Sequence, residues 1–436
     1  MKTQSLPEIF AWAALATVCG GPFLFGAVDR DVWFPLCLLW IGLGFASALL
    51  AARNLGSDGH RYAVRLSRAL LPVHAFFILQ LIPLPAFVLR AVSPGSFAAH
   101  FLPDTGDGRF RPLTVSAGAT IEAWLYVAGL HGLAMTLAAI PREKRRQAVE
   151  LLLVALVLLA TEGLWQSRAS HPFWLYAWVP IVAPPGLETS TFGPYYNRNH
   201  FATLMAVGAA LAAGLASAEA GRAGSRLQAV LSDGRVLAQV VWLLGAGGVL
   251  SLAGVASGSR SGVLAGLAGI GIVVGRALGF RYMAASLALL VLPLVLSGGA
   301  AMERFARLDI VQSRWAPWTD MATLLRFFPV FGSGFGTFVL AYLPYQRNAT
   351  YEIWPHAHNE YLQCVIEGGL AGVVALAVAW KRIRRALVLD PALGEAAVGV
   401  AVAFAAQALL DFPARIPANA AVVTALLILS QRTRHL

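Results

Sequence analysis

Two histidines, an asparagine and a glutamate stand at the mouth of an apolar segment in Pro355-His356-Ala357-His358-Asn359-Glu360-Tyr361-Leu362-Gln363. Glu367-Gly368-Gly369-Leu370-Ala371-Gly372 follows inside that segment. Ionisable residues are expensive in lipid, and where they persist they mark a working site. Arginine supplies a second set: Arg198 in Tyr195-Tyr196-Asn197-Arg198-Asn199-His200, Arg260 in Ser257-Gly258-Ser259-Arg260-Ser261-Gly262, and Arg314 in Gln312-Ser313-Arg314-Trp315. A guanidinium in a short Gly/Ser hairpin between two apolar runs is a planar fork for an anionic headgroup. An interfacial arginine snorkelling to lipid phosphate has the same sequence signature.

These residues need a scaffold, and composition identifies its class. Of 436 residues, 58% are hydrophobic and 13% charged, and mean hydropathy is +0.67, beyond what a soluble domain carries. The fold class expected is an all-α integral membrane protein. Runs near the ~20 residues that cross a bilayer predict twelve transmembrane helices, over 9–28, 32–52, 69–89, 120–140, 147–166, 200–218, 237–256, 262–280, 282–299, 360–380, 394–411 and 416–431. They read as one polytopic domain over 1–436, with long outside connections at 90–119, 167–199 and 300–359. In the last of these, Trp315 to Phe328 predicts an amphipathic helix on the membrane surface. The Gly-rich turn from Pro329 to Gly336 then reads either as a backbone cradle for phosphate or as a hinge.

Lys and Arg set the orientation. With the amino terminus inside, alternate loops collect most of the 33 basic residues, including Arg61, Arg65, Arg68, Arg142, Lys144, Arg145, Arg146, Arg276, Lys381, Arg382 and Arg385. Both termini are then cytoplasmic, and the histidines and the three arginines lie outside. The net charge of +11 reports topology, so no nucleic-acid partner is expected. Lys2 and the first apolar run lack a convincing cleavage site and read as the first helix. Cys19, Cys37 and Cys364 fall in or at spans, as packing residues. His74 and His131 read as packing or interhelical hydrogen bonding, and His200 as structural. Asp411 and Arg415 read as a pair around Pro413. Glu367, nine residues beyond His358 and ~13 Å deeper on another side of a helix, reads as a bond to a neighbouring helix.

The order His358, Asn359, nine residues, then Gly369-Leu370-Ala371-Gly372 resembles the most recognisable motif of the O-antigen ligases and related polymerases of lipid-linked glycans. The stretch from Phe192 to His200, the Ser-Arg-Ser hairpin and the region from Arg314 to Gly336 resemble that family in order and spacing, so the likeness covers roughly 190–375. It implies a ligase of the bacterial inner membrane, working on its periplasmic face in lipopolysaccharide biosynthesis. The donor would be a glycan on undecaprenyl pyrophosphate, the acceptor a sugar hydroxyl of lipid A-core, and membrane lipids the surroundings. His358 would be the base, with Asn359 orienting it and His356 a secondary candidate. Arg260 and Arg314 would hold the pyrophosphate with Arg198 in support, alongside Asn197, Asn199, Ser259 and Ser261, and the 300–359 loop would carry part of the site. Arginines stabilise a departing pyrophosphate without metal or cofactor, and attack opposite it inverts the anomeric centre.

Three other readings stand beside this one. An O-antigen polymerase or a protein O-oligosaccharyltransferase would use the same donor. Asp29-Arg30-Asp31 is a weak Asp-x-Asp pattern for a divalent metal. Twelve spans also describe a lipid-linked glycan transporter, although no paired interrupted helices are visible.

Overall fold

The computed structural model describes residues 5–53, 58–101, 110–168, 191–224, 227–279, 281, 309–347 and 354–433. In chain order its α-helices are α1 Leu6–Gly20, α2 Arg30–Ala52, α3 Asp58–Leu81, α4 Ala86–Val92, α5 Pro94–Phe101, α6 Ala117–Leu137, α7 Arg142–Gln166, α8 Arg198–Arg222, α9 Leu227–Ser232, α10 Gly234–Ala256, α11 Arg260–Leu278, α12 Asp309–Thr323, α13 Phe338–Tyr342, α14 Glu360–Ala386, α15 Gly394–Ala408 and α16 Pro417–Leu429. Among the described residues, eight helices are long and apolar enough to cross a membrane. They are α1 with the turn that follows it, α2, α3, α7, α8, α10, α11 and α14. Of the other four expected spans, α6 reaches 21 residues, α15 and α16 are shorter apolar helices, and 282–299 lies outside the described residues.

Hydropathy misplaced three helix boundaries for one reason. The expected span 69–89 is corrected to Asp58–Leu81, ended before Pro83–Pro85, a strand (β1) that pairs with Phe110–Pro112 (β2). Arg61, Arg65 and Arg68 share one face at helical spacing, so they extend α3 instead of preceding it. In the same way α7 starts with Arg142-Glu143-Lys144-Arg145-Arg146, and α14 continues through Lys381, Arg382, Arg384 and Arg385.

The bundle closes around α8. The most apolar stretch of α8 is 83% buried, against 22% for α2 and α10. Its alanines and glycines permit this, because small residues let helix backbones approach closely in lipid. A side chain at Gly214 would strike the backbone of Ala396 on α15.

Polar contacts gather at two opposite ends. At one, Lys144 meets Glu8 at 2.6 Å, Arg146 and Arg222 both meet Glu219 at 2.9 Å, Arg276 meets Glu395 at 2.9 Å, and Arg382 donates to the Arg68 carbonyl at 3.0 Å. Leu387–Leu389 (β3) pairs with Gln431–Thr433 (β4) there as well. The basic stretches assigned to one side of the membrane therefore do meet. The other end carries the starts of α2, α6, α8, α11, α14 and α16, joined by contacts such as Arg30 to Glu122 at 2.7 Å and the Tyr126 hydroxyl to the Ala414 carbonyl at 2.8 Å.

A loop is inlaid into α14. At Gly369 the helix takes φ +59 and ψ −165, a left-handed conformation open to glycine, and the residues from Pro329 to Phe335 fill the gap. Ser333 N–H donates to Ile366 O and Gly334 N–H to Glu367 O, both at 3.0 Å. In return Leu370 and Ala371 N–H donate to Pro329 O and Val330 O at 3.0 and 2.9 Å. Gln80 of α3, fully buried, locks the joint, with its amide donating to Phe331 O and Glu367 O at 2.9 Å and accepting from Phe335 N–H at 3.1 Å. The turn is thus neither the phosphate cradle nor the hinge that its spacing admitted, because two of its N–H groups serve an interrupted helix and a third is held by Gln80.

Candidate active site

His358 sits in a short segment fixed on both sides. Ala357 N–H donates to Gln363 Oε1 at 3.0 Å, and Ala357 O accepts from the Trp318 indole of α12 at 2.7 Å. His358 itself adopts φ +48, a conformation rare outside glycine that marks functional segments. Asn359 caps α14, its Oδ1 accepting from Leu362 N–H at 2.9 Å. The expectation that Asn359 orients the His358 ring is therefore corrected: its side chain is committed to an orphan helix N–H, and it acts on His358 by fixing the helix start.

The ring is oriented by Asp411. His358 Nδ1 lies 3.2 Å from Asp411 Oδ1, with the imidazole 22% exposed and the carboxylate fully buried. A carboxylate accepts from Nδ1–H, which leaves Nε2 bare to take a proton. His200 Nε2 stands 3.9 Å from the same oxygen. Phe412 lies among all three histidines, its ring centre 4.8 Å from that of His200, 4.1 Å from His356 and 5.0 Å from His358. Trp354 meets His358 edge-on at 5.4 Å.

His356 is built differently. Its Nδ1 is 3.2 Å from Gln363 Nε2, and burial, reinforced by Arg415, His358 and His200, pushes its imidazole down to about 3. Such a ring stays neutral and is a poor proton acceptor near neutral pH.

Arg415 does not follow the expected pairing with Asp411 around Pro413. Its guanidinium reaches Glu360 Oε1 at 3.0 Å and Glu367 Oε2 at 2.8 Å, and the Glu367 carboxylate is fully buried. Burial opposes the charge on Arg415, and Glu367 and Glu360 overcome it, leaving its pKa above the ordinary arginine value. Glu367 also accepts from Phe338 N–H at 3.1 Å, so it acts as the tie to a neighbouring element that its depth implied.

The structure joins two of the arginine stretches. Asn197 caps α8 and Ser259 caps α11, making Arg198 and Arg260 the first residues of those helices. Ser259 Oγ donates to Asn199 Oδ1 at 2.7 Å, and Gln407 of α15 donates to Ser261 at 3.2 Å. Asn197, Asn199, Ser259 and Ser261 are thus the joints that hold two half-buried arginines at adjoining helix starts, where backbone dipoles already favour an anion. Arg314 lies on α12, but its side chain falls outside what the structure describes. On that helix Trp318 and Met321 pack with Leu324, Phe328 and Ala357 in a second apolar cluster, while Trp315 is exposed.

The remaining candidates have structural partners. Asp29 and Asp31 stand at the start of α2, where carboxylates suit the helix dipole. Asp29 accepts from the Tyr196 hydroxyl at 3.3 Å, and Arg30 pairs with Glu122. His74 Nε2 and His131 Nδ1 are 3.0 Å apart, with the Trp124 indole donating to His74, which is interhelical bonding as expected.

Sequence reasoning missed Asp411, Phe412, Gln363 and Gln80. The available signal for Asp411 was an acid in a short turn between two apolar runs, set aside because Arg415 stood nearby.

Residues 245–377 match the model of a family described as O-antigen ligase. The match runs from α10 into α14 and contains Arg260, His356 and His358, whereas Arg198, Asp411 and Arg415 lie outside it. It supports membership of the O-antigen ligase superfamily. No curated protein matches the chain.

Proposed function

We propose that this chain of the O-antigen ligase superfamily transfers an assembled glycan from undecaprenyl pyrophosphate to a sugar hydroxyl of lipid A-core. The observation that carries the reading is the His358–Asp411 contact beside helix starts that bear Arg198 and Arg260. Asp411 fixes the tautomer, and His358 Nε2 takes the proton of the acceptor hydroxyl as its oxygen attacks the anomeric carbon. The bond from that carbon to the pyrophosphate oxygen breaks, and its electron pair stays on the pyrophosphate. Arg198 and Arg260, with Arg314 from the outer loop, stabilise that charge, and in-line attack inverts the anomeric centre. His356 serves as packing for Phe412. The protein crosses the bacterial inner membrane twelve times, with both termini cytoplasmic and the histidine end periplasmic.

The test offers purified protein one undecaprenyl-pyrophosphate glycan with three acceptors: lipid A-core, a second lipid-linked repeat, and a periplasmic protein. Transfer to lipid A-core is expected, falling about 10²–10⁴-fold in His358→Ala, the range of a lost general base. Preferential transfer to the second repeat identifies a polymerase, and transfer to the protein an oligosaccharyltransferase. If His358→Ala matches wild type, the assignment of the base is wrong.

A further inference from the structure

Next to the histidine cluster lies a cleft of about 250 Å³, close to the ~300 Å³ at which small-molecule sites begin. Trp33 of α2, Glu122 and Tyr126 of α6, Gly336, His356 and Arg415 line it. We propose that this cleft binds the acceptor as a neutral sugar unit, with Glu122 as a hydroxyl-recognising carboxylate and Trp33 as the aromatic wall. The proposal rests on the glycan-transfer reading and adds the position and chemistry of the second substrate.

The charge pattern separates this cleft from an anion site. Arg415 is already held by two carboxylates, at 3.0 Å and 2.8 Å, so its guanidinium has little uncompensated charge for a pyrophosphate. Glu122 adds a carboxylate that repels one. His356 is neutral there, because burial pushes it down to about 3. What remains is a compensated cation, a carboxylate and the rings of Trp33 and Tyr126, which stand edge to face at 6.2 Å. Sugars have this duality: apolar C–H faces lie on aromatic rings, and hydroxyl edges bind charged groups with strong hydrogen bonds. Glu122 is 44% exposed in its side chain, and its partner Arg30 is 67% exposed. The carboxylate is accessible, and Arg30 can swing aside at little cost, since exposed pairs are weak.

The cleft also adjoins the chemistry. His356 lines it and packs, tilted, on Phe412, the ring that His358 meets at 5.0 Å. His200, two residues after Arg198 on α8, reaches the same ring. Phe412 therefore links the arginine-bearing helix start, the base and the cleft, and a sugar in the cleft is a neighbour of His358.

The experiment measures steady-state transfer by purified full-length protein in detergent, varying lipid A-core at saturating undecaprenyl-pyrophosphate glycan and then the reverse. Glu122→Gln keeps size and removes charge at an exposed position, so folding is preserved; Trp33→Ala removes the wall, with thermal unfolding as its control. Each substitution is expected to raise the acceptor KM about tenfold while the donor KM stays within about twofold, with Trp33→Phe close to wild type. An unchanged acceptor KM in both variants, with wild-type protein active, overturns the cleft assignment and leaves the transfer reading standing. A rise confined to the donor KM overturns it as well. Wild-type protein that transfers to no acceptor removes both.

Discussion

Arg276 and Arg415 each meet carboxylates on other helices or turns, at opposite ends of the bundle and in opposite surroundings. Arg276 is 52% exposed and Glu395 31% exposed, whereas Glu367 beneath Arg415 is fully buried. Water supports the first pair and excludes itself from the second. Exposed pairs contribute about 0–1 kcal/mol; removing one member of a buried pair costs about 3–5 kcal/mol, because the other charge stays uncompensated. At the basic end, the Arg276–Glu395 pair keeps its charge in water. The histidine end holds Glu367, Asp411, Arg415 and three imidazoles inside protein, an arrangement with no advantage for orientation that fits a site where charge must be placed.

Four substitutions or conditions can break this contrast, starting with the largest effect. Glu367→Ala strands Arg415 with Glu360 alone and releases Phe338 N–H, so we expect about 3–5 kcal/mol of destabilisation, read as a large fall in thermal unfolding temperature in detergent. A near-wild-type melt would mean that the buried network is incidental.

Asp411→Asn keeps the volume but no longer fixes the ring with a charge. Transfer should fall about 10²-fold in kcat, at the lower end of base catalysis, with the acceptor KM and the melt unchanged. A shift in KM alone would make Asp411 a binding residue.

The third test is pH. His356 is depressed to about 3 in the folded protein against an ordinary ~6.5, so between those values the unfolded chain binds more protons. Stability must then rise with pH through that window and decline as pH falls below about 6.5. Thermal unfolding from pH 7 to pH 4 should show a shallower decline in His356→Gln than in wild type. Arg276→Ala at the other end should change stability by no more than about 1 kcal/mol and leave transfer at the wild-type rate; any loss of transfer would tie the basic end to the reaction.

The sequence disclosed those features that are local. Apolar runs of bilayer length announced the helices, and His358, Asn359 and the following glycines lie within fifteen residues of one another. Asn197, Ser259 and Asn359 were legible as polar residues before apolar runs, although the sequence reads the first two as support for the pyrophosphate site and the third as orienting His358. What stayed hidden was contact across distance. Asp411 is 53 residues from His358, and nothing local distinguishes an acid that orients a histidine from one that pairs with Arg415 four residues on. Gln80 lies in the middle of an apolar run, and its role appears only when two segments more than 250 residues away are folded against it. The start of α3 was misread because hydropathy scores arginines as loop, while a helix end at the membrane surface accommodates them on one face.

The inlay of 329–335 into the gap at Gly369 bears on protein engineering. A segment whose backbone completes another helix cannot be exchanged alone. A chimera that imports the outer loop of a relative must carry residues from Trp318 through Gly372 as one cassette, together with the residue at position 80.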